Sequence, residues 1–292
     1  MTQITELSID SWNSEIDEAT QLFATQSLEE GKVLFLPNLN FTLNDVENIF
    51  LSPDITDPNS KNVSYDINAN KLRGASCEEG ELPLLQEMMQ RYATFSHELA
   101  QRLFPHYIKN LKQARTSYRP VEVSGRPSSY RKDDTRLHVD AFPSSPTGGQ
   151  RIIRVFTNIN PHEQSRYWRL GAPFEDVAMK FIPDVRKPAP GEAKILRSLK
   201  ITRGLRTRYD HYMTQIHNKM KKDMVYQENV HQEEFYFPPG STWIVFTDQV
   251  SHAAMTGQYL FEQSFYLPVQ GMLNPEQSPL KILEKQLGYE LV

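Results

Sequence analysis

Two histidines and one aspartate carry the clearest chemical signal in this sequence. His138 and Asp140 are separated by one residue, and His252 follows far downstream. Two imidazoles and one carboxylate can occupy one face of an octahedral Fe(II) ion and leave the other positions open for a co-substrate and O2. Residues i and i+2 of a strand point to the same side of a sheet, so the first pair fits one strand end. The pattern predicts an oxygen-activating iron centre completed by a second strand.

Two other interpretations of these residues remain open. His138 and Asp140 could form a surface pair while His252 is an ordinary core histidine, because a His-X-Asp tripeptide also arises by chance. Zinc hydrolases use a similar ligand set, but they often carry both histidines on one helix as HExxH, which this sequence lacks. No Glu or His stands close to either histidine in the sequence as an evident general base. Iron is therefore preferred over zinc.

The elements that must position this site differ between the two halves of the chain. Apolar residues at helical spacing predict helices over residues 12–31 and 82–113, the second ended or kinked by Pro105. A short buried strand is predicted at 32–37, a helix start at Thr42 or Asn44, and a loop over 52–65. Short β-type runs bounded by turns predict strands at the following positions: 116–123, 136–142, 151–159, 234–237, 242–247 and 259–267.

These patterns predict a mainly β protein with helical additions, in the α+β class. We expect a double-stranded β-helix, or cupin-like jelly roll, over residues 114–292. Residues 1–113 are expected to pack on it as a helical layer, and a basic helical insertion is expected at about 190–225.

Composition limits the classes of function. The chain has 292 residues, 39% of them apolar, and a net charge of −4, which gives no argument for nucleic-acid binding. Its single cysteine, Cys77, excludes an intramolecular disulfide and a cysteine-rich zinc cluster. No secretory signal or apolar stretch of membrane-spanning length is found, so a cytoplasmic location is expected.

An iron oxygenase of this type commonly uses 2-oxoglutarate, whose distal carboxylate needs a buried cation. Many such enzymes place an arginine about ten residues past the second histidine, where it can bind the carboxylate with two hydrogen bonds. Here that position is Glu262. Arg154 lies fourteen residues after Asp140 in an otherwise apolar strand and is predicted to take this role. The alternative is a salt bridge of Arg154 at the sheet edge. The remaining histidines are predicted to be ordinary surface or core residues: His97, His106, His162, His211, His217 and His231.

Three segments resemble the Kdo hydroxylase family, the Fe(II)/2-oxoglutarate dioxygenases of Gram-negative bacteria that act on 3-deoxy-octulosonic acid. They are RLHVDAFPS from Arg136, RIIRVFTNINP from Arg151, and FEQSFYLPV from Phe261. The resemblance spans most of the chain and is densest from about 115 to 285. It implies hydroxylation at carbon 3 of a Kdo sugar on lipid A to give Ko, with Fe(II) as the cofactor and with 2-oxoglutarate and O2 consumed to give succinate and CO2.

The implied substrate is anionic, so its pocket needs cations and a surface on which a sugar can stack. The candidates are Arg119, Arg131, Arg136 and Trp168, and each could equally be a solvated arginine or a packed tryptophan. The basic residues at 194–222 are expected either to contact the anionic inner membrane or to form a solvated helical face. A related dioxygenase with another lipid-linked substrate, or a non-catalytic sugar-binding β-barrel, remains an alternative.

Overall fold

Two β-sheets and seven α-helices make up the part of the chain that the computed structural model describes, residues 2–125 and 129–292. The strands are β1 (Ile4–Glu6), β2 (Val33–Leu36), β3 (Val63–Asp66), β4 (Lys71–Arg73), β5 (Lys112–Arg119), β6 (Arg151–Asn158), β7 (Arg166–Leu170), β8 (Glu233–Phe237), β9 (Thr242–Phe246), β10 (His252–Thr256) and β11 (Leu260–Leu267). The helices are α1 (Glu18–Glu29), α2 (Leu82–Leu103), α3 (Phe174–Phe181), α4 (Glu192–Ser198), α5 (Arg208–Lys222), α6 (Met224–Asn229) and α7 (Pro279–Leu287). The predicted α+β class is confirmed.

The larger sheet has the strand order β1-β2-β9-β6-β11-β5-β3-β4, and the smaller sheet has the order β10-β7-β8. The central strands of the larger sheet, β9, β6 and β11, pair antiparallel and coincide with three of the predicted strands. The largely apolar sequences of β6 and β9 reflect burial on both faces, because the small sheet covers one side and helices cover the other. All five residues of β9, TWIVF, are buried.

The two faces of the large sheet contribute to separate apolar cores. Between the sheets, Phe156 and Trp243 of the large sheet pack against Trp168 and Phe237 of the small one. On the opposite face, Tyr92 of α2 stacks on Phe261 of β11 at 4.6 Å between ring centroids. The metal-ligand candidates lie where the large sheet meets the small one, because Asp140 is hydrogen-bonded to Thr247, just after β9, and His252 begins β10.

The N-terminal part differs from the predicted helical layer. Strands β1 to β4 join the large sheet, and β3 begins inside the segment predicted as loop. Helix α1 begins only after its N-cap residue, Asp17, so the first part of the helix predicted over residues 12–31 lies outside it. The buried side of α1 also differs from the predicted apolar one. Leu22 and Phe23 are 46% and 52% exposed, while Ala24 and Leu28 are buried.

Other boundaries also shift. Helix α2 ends at Leu103, ahead of Pro105, as the helix-breaking proline requires. The predicted strand at 136–142 is reduced to an isolated bridge at His138, and the strands β7 and β10 were not predicted. The predicted basic insertion consists of α4, α5 and the start of α6. No helix in the described residues is long and apolar enough to cross a membrane.

Candidate metal centre

A short antiparallel contact between two distant segments brings the predicted ligands together. The backbone N–H of His138 donates to the carbonyl of His252 at 3.0 Å, and the N–H of His252 donates to the carbonyl of His138 at 2.9 Å. The N–H of Asp140 donates to the carbonyl of Thr247 at 2.7 Å, just after β9. The main chain therefore fixes all three residues beside one another.

The three side chains converge with geometry suited to one metal ion. One ligand atom of each residue, His138, Asp140 and His252, lies within 4.8 Å of the others. His138 Nε2 is 3.7 Å from Asp140 Oδ1, and the two imidazole centroids are 4.6 Å apart. In the described residues, no other group of three His, Cys, Asp or Glu side chains has this arrangement.

Backbone carbonyls orient both imidazoles. His138 Nδ1 lies 2.7 Å from the carbonyl of Arg136, and His252 Nδ1 lies 2.8 Å from the carbonyl of Val250. A carbonyl only accepts, so each Nδ1 carries the proton and donates it, leaving the Nε2 lone pair for a metal. Both rings are thus held in the tautomer that a metal site requires.

Burial sets the protonation states of the three ligands. It lowers the pKa of His138 well below its usual value, with a further lowering from the charge of Lys221, and burial also lowers the pKa of His252. Burial alone would raise the pKa of Asp140, but chiefly the charge of Arg154 brings it down to about 2. Two neutral imidazoles and one carboxylate at neutral pH are the donors that Fe(II) binds in oxygenases, so the residues fit this metal.

A row of alternating charges leads away from the metal ligands into the space between the sheets. Arg154 Nη2 lies 2.9 Å from Asp140 Oδ2, and Arg154 Nη1 donates to Glu262 Oε1 at 2.7 Å. Arg119 donates to the other oxygen of Glu262 through Nη2 at 2.7 Å and Nε at 3.1 Å. We call these four residues the buried charge row.

The buried charge row accounts for a glutamate at position 262, where many related enzymes place an arginine. Burial would raise the pKa of Glu262, but Arg119 and Arg154 hold it below its ordinary value, so the carboxylate stays charged between them. Arg154 lies on the central strand β6 and its side chain is 12% exposed, so it is not the sheet-edge salt bridge considered as the alternative. It contacts the ligand Asp140 directly.

The four predicted substrate residues are placed in four different ways. Arg119 belongs to the buried charge row, with its side chain 20% exposed. Arg131 is exposed beside the ring of Tyr130. Arg136 pairs with Asp133 at 3.0 Å and donates to the carbonyl of Lys221 at 2.8 Å.

Trp168 has a role that the sequence did not suggest. It is 2% exposed and its ring stacks on His252, with centroids 5.0 Å apart and planes 20° apart. In this position it supports a ligand ring rather than offering an open face to a sugar.

Two residues near the metal centre were missed. His217 was predicted to be ordinary, but its ring lies 5.2 Å from that of His138 and its Nδ1 lies 2.8 Å from the carbonyl of Val139. Lys221, one turn further along α5, is 1% exposed with Nζ 3.6 Å from Asp134 Oδ1. The signal was available: both share a helix face with the buried apolar residues Met213 and Met220.

A sheet pair with a His-X-Asp and a distant histidine converging at its edge defines the class of non-haem Fe(II) oxygenases. The profile of the family described as 3-deoxy-D-manno-oct-2-ulosonic acid (Kdo) hydroxylase matches residues 11–290. No curated protein sequence matches the chain.

Solved structures agree with the profile. The Kdo hydroxylase KdoO, a non-heme Fe(II) alpha-ketoglutarate-dependent dioxygenase, in complex with alpha-ketoglutarate and Fe(III), is 49% identical, with 99% of this chain and 97% of that chain covered at a TM-score of 0.96. KdoO with cobalt(II) is also 49% identical, with 100% and 98% covered at 0.97. KdoO with succinate and Fe(III) matches equally, at 49% identity, 100% and 98% coverage and a TM-score of 0.96.

This chain therefore belongs to the Kdo hydroxylase family. The predicted enzyme class, an Fe(II)- and 2-oxoglutarate-dependent dioxygenase, and the predicted cofactors Fe(II), 2-oxoglutarate (alpha-ketoglutarate) and O2 are confirmed. The non-catalytic sugar-binding alternative is not favoured. The roles assigned to single residues remain predictions.

Proposed function

We propose that this protein hydroxylates carbon 3 of a Kdo sugar in lipid A or the lipopolysaccharide core, giving Ko. The observation that carries the proposal is the convergence of His138, Asp140 and His252 in a chain of the Kdo hydroxylase family. We also infer that the two facing sheets form a double-stranded β-helix, because such a fold places the ends of distant strands at one mouth. Residues 1–113 would then be an addition that extends the large sheet.

The chain's own residues hold and shield the reacting centre. Bound Fe(II), with 2-oxoglutarate and O2, supplies the oxidant that replaces a C–H hydrogen by hydroxyl and leaves succinate and CO2. His138, Asp140 and His252 would hold the metal, and the carbonyls of Arg136 and Val250 keep the imidazoles oriented. Trp168 covers one face of His252 and keeps water from it. The protein contributes position and dryness rather than acid–base chemistry.

Arg154 remains the proposed partner of the distal carboxylate of 2-oxoglutarate. It is a buried cation beside a metal ligand, and its Nε makes no hydrogen bond within the described residues. One further donor is thus available for a carboxylate, while Nη1 and Nη2 stay on Glu262 and Asp140. In this arrangement Arg154 would also orient the Asp140 carboxylate.

The carboxylate of Kdo needs a cation at the entrance of the site. We propose Arg119 first, because it ends the buried charge row and keeps part of its side chain exposed. Arg131 is exposed and available, whereas Arg136 is already paired with Asp133. Trp168 is the weakest of the four candidates, because it is 2% exposed and His252 covers one face of its ring.

A lipid-linked substrate implies that the enzyme works at the cytoplasmic surface of the inner membrane. The basic residues at 194–222 support such a contact, because clustered lysines and arginines are attracted to anionic headgroups. Not all of them are available: Lys221 is buried next to the metal centre.

The test is mass spectrometry of lipopolysaccharide from cells that express the wild type or His138→Ala, combined with succinate release by the purified proteins. We expect the wild type to add the mass of one oxygen atom to a Kdo residue. His138→Ala should add none, because only two of the three proposed metal ligands remain. His162→Ala, which changes an exposed histidine, is the matched control and should behave as wild type. Succinate release without oxygen added to Kdo would point instead to another substrate.

A further inference from the structure

Residues 192–206, which we call the docking segment, combine positive charge with exposed apolar side chains. The segment carries Lys194, Arg197, Lys200, Arg203 and Arg206 against one carboxylate, Glu192. That carboxylate is engaged by Arg186, outside the segment, at 2.9 Å. A strongly positive segment on a chain of net charge −4 is complementary to an anionic surface.

Four large apolar side chains of the docking segment are in solvent. Ile195, Leu199, Ile201 and Leu205 are 58%, 64%, 52% and 49% exposed. Ile195 and Leu199 are four residues apart, so they lie on one side of α4 and its end. Clustered apolar exposure of this kind marks an interaction surface, whereas scattered single residues do not.

Hydrogen bonds to two backbone carbonyls hold the docking segment next to the metal centre. The N–H of Arg203 donates to the carbonyl of Ser144 at 2.8 Å, and Arg206 Nη2 donates to the carbonyl of Pro143 at 2.7 Å. Pro143 and Ser144 belong to the turn that begins shortly after the ligand Asp140. Thr202, 3% exposed, anchors the middle of the segment.

We propose that the docking segment inserts Ile195, Leu199, Ile201 and Leu205 into the headgroup and acyl-chain boundary of an anionic bilayer, with the surrounding lysines and arginines on the headgroups. This is the arrangement of an interfacial membrane-binding element, which needs apolar burial as well as charge. It rests on the proposed lipid-linked substrate and differs from contact by charge alone along 194–222. The inserted residues would hold the turn after Asp140 close to the membrane surface.

The first experiment measures sedimentation of the purified enzyme with vesicles of phosphatidylcholine, with or without phosphatidylglycerol. We expect binding to the phosphatidylglycerol vesicles, and a loss of about tenfold or more in the double variant Ile195→Ser/Leu199→Ser. Leu22→Ser/Phe23→Ser removes two equally exposed apolar residues on α1 and should bind as wild type. Equal binding by the wild type and the Ile195/Leu199 variant would overturn the proposal.

A second measurement separates insertion from adsorption. Trp12, Trp168 and Trp243 are buried, so a tryptophan introduced by Leu199→Trp reports mainly on the docking segment. A quencher on the acyl chains should quench this variant on phosphatidylglycerol vesicles but not Phe23→Trp. No quenching of the position-199 tryptophan, or self-association of the protein through the same residues, would reject insertion.

Activity distinguishes failure of this proposal from failure of the proposed function. With a deacylated, water-soluble Kdo oligosaccharide, Ile195→Ser/Leu199→Ser should react as fast as wild type; with lipid A in phosphatidylglycerol vesicles it should be slower by about tenfold or more. A wild type that hydroxylates neither substrate would refute the proposed function. The vesicle experiments would then still decide whether the docking segment inserts into the membrane.

Discussion

The buried charge row and the docking segment use the same residue types in opposite ways. In the row, two arginines and two carboxylates alternate in a largely buried position, each within about 3 Å of a partner. In the docking segment, five cations face one carboxylate, and all of them except the half-buried Arg206 stand in solvent next to apolar side chains. A buried charge is costly without its partner, whereas an exposed charge is nearly neutral for stability and free to bind. Environment, rather than residue type, decides which arginines support the site and which meet a partner.

The largest effect that tests this difference between the buried charge row and the docking segment is expected from Arg154→Ala. It leaves Asp140 and Glu262 buried without their shared cation, so we expect a loss of about 3 kcal/mol in the free energy of unfolding. The 2-oxoglutarate requirement should rise about a hundredfold or more, because the proposed carboxylate partner is gone. Denaturant unfolding and kcat/KM for 2-oxoglutarate measure the two effects. Arg197→Ala, in the docking segment, should change neither, and an unaltered co-substrate dependence of Arg154→Ala would exclude its proposed role.

A smaller effect is expected from the single variant Glu262→Gln, which is compared with the single variant Glu192→Gln. The first change leaves two buried guanidinium groups facing a neutral amide and should lower the free energy of unfolding by about 2 kcal/mol. The second removes a charge from the Arg186–Glu192 pair, whose arginine is 58% exposed, and should cost less than about 0.5 kcal/mol. Urea unfolding of both variants is the measurement; equal losses would mean that the row is no more dependent on charge than the surface.

The smallest expected effect concerns histidines and pH. Burial lowers the pKa of His138, His217 and His252 in the folded protein, so the unfolded chain takes up protons first as pH falls. Stability of the chelator-treated protein is therefore complete only well above the unfolded-state histidine pKa of about 6.5, and it should fall by about 1 kcal/mol or more between pH 7 and pH 6. Thermal unfolding at several pH values measures this. His217→Gln should flatten the dependence, His162→Ala should not, and a pH-independent wild type would contradict it.

The sequence could predict the metal centre because its signal is local chemistry. The i, i+2 spacing of His138 and Asp140 places both on one side of an extended segment, whatever the length of the strand. The central strands β6 and β9 were predictable because burial on both faces leaves largely apolar runs, and β11 was predictable from its alternating pattern. Arg154 lies beside the ligand Asp140, while its predicted binding of 2-oxoglutarate stays a prediction.

The rest depended on contacts between distant residues. Strand β10 begins at His252 with HAAMT, which lacks the β-branched pattern of a strand and forms because β7 pairs with it. The short polar strands β3 and β4 are formed by pairing at the edge of a sheet that the N-terminal part was not expected to join. Lys221 and Lys194 belong to the same run of charge. Helical spacing places Lys221 on the buried face of α5, but its partner Asp134 lies far away in the sequence and could not be predicted from that spacing.

The carboxylate at position 262 has a consequence for how such a site can be rebuilt. An arginine introduced there, where the commoner arrangement has its cation, would face Arg119 and Arg154 on adjacent strands and set three guanidinium groups against one another. With Arg154 as the proposed anchor, the two ways of binding the co-substrate therefore exclude each other at this site. Converting one arrangement into the other requires several simultaneous substitutions. An arginine introduced at position 262 alone would destabilise the buried charge row and would not create a second co-substrate site.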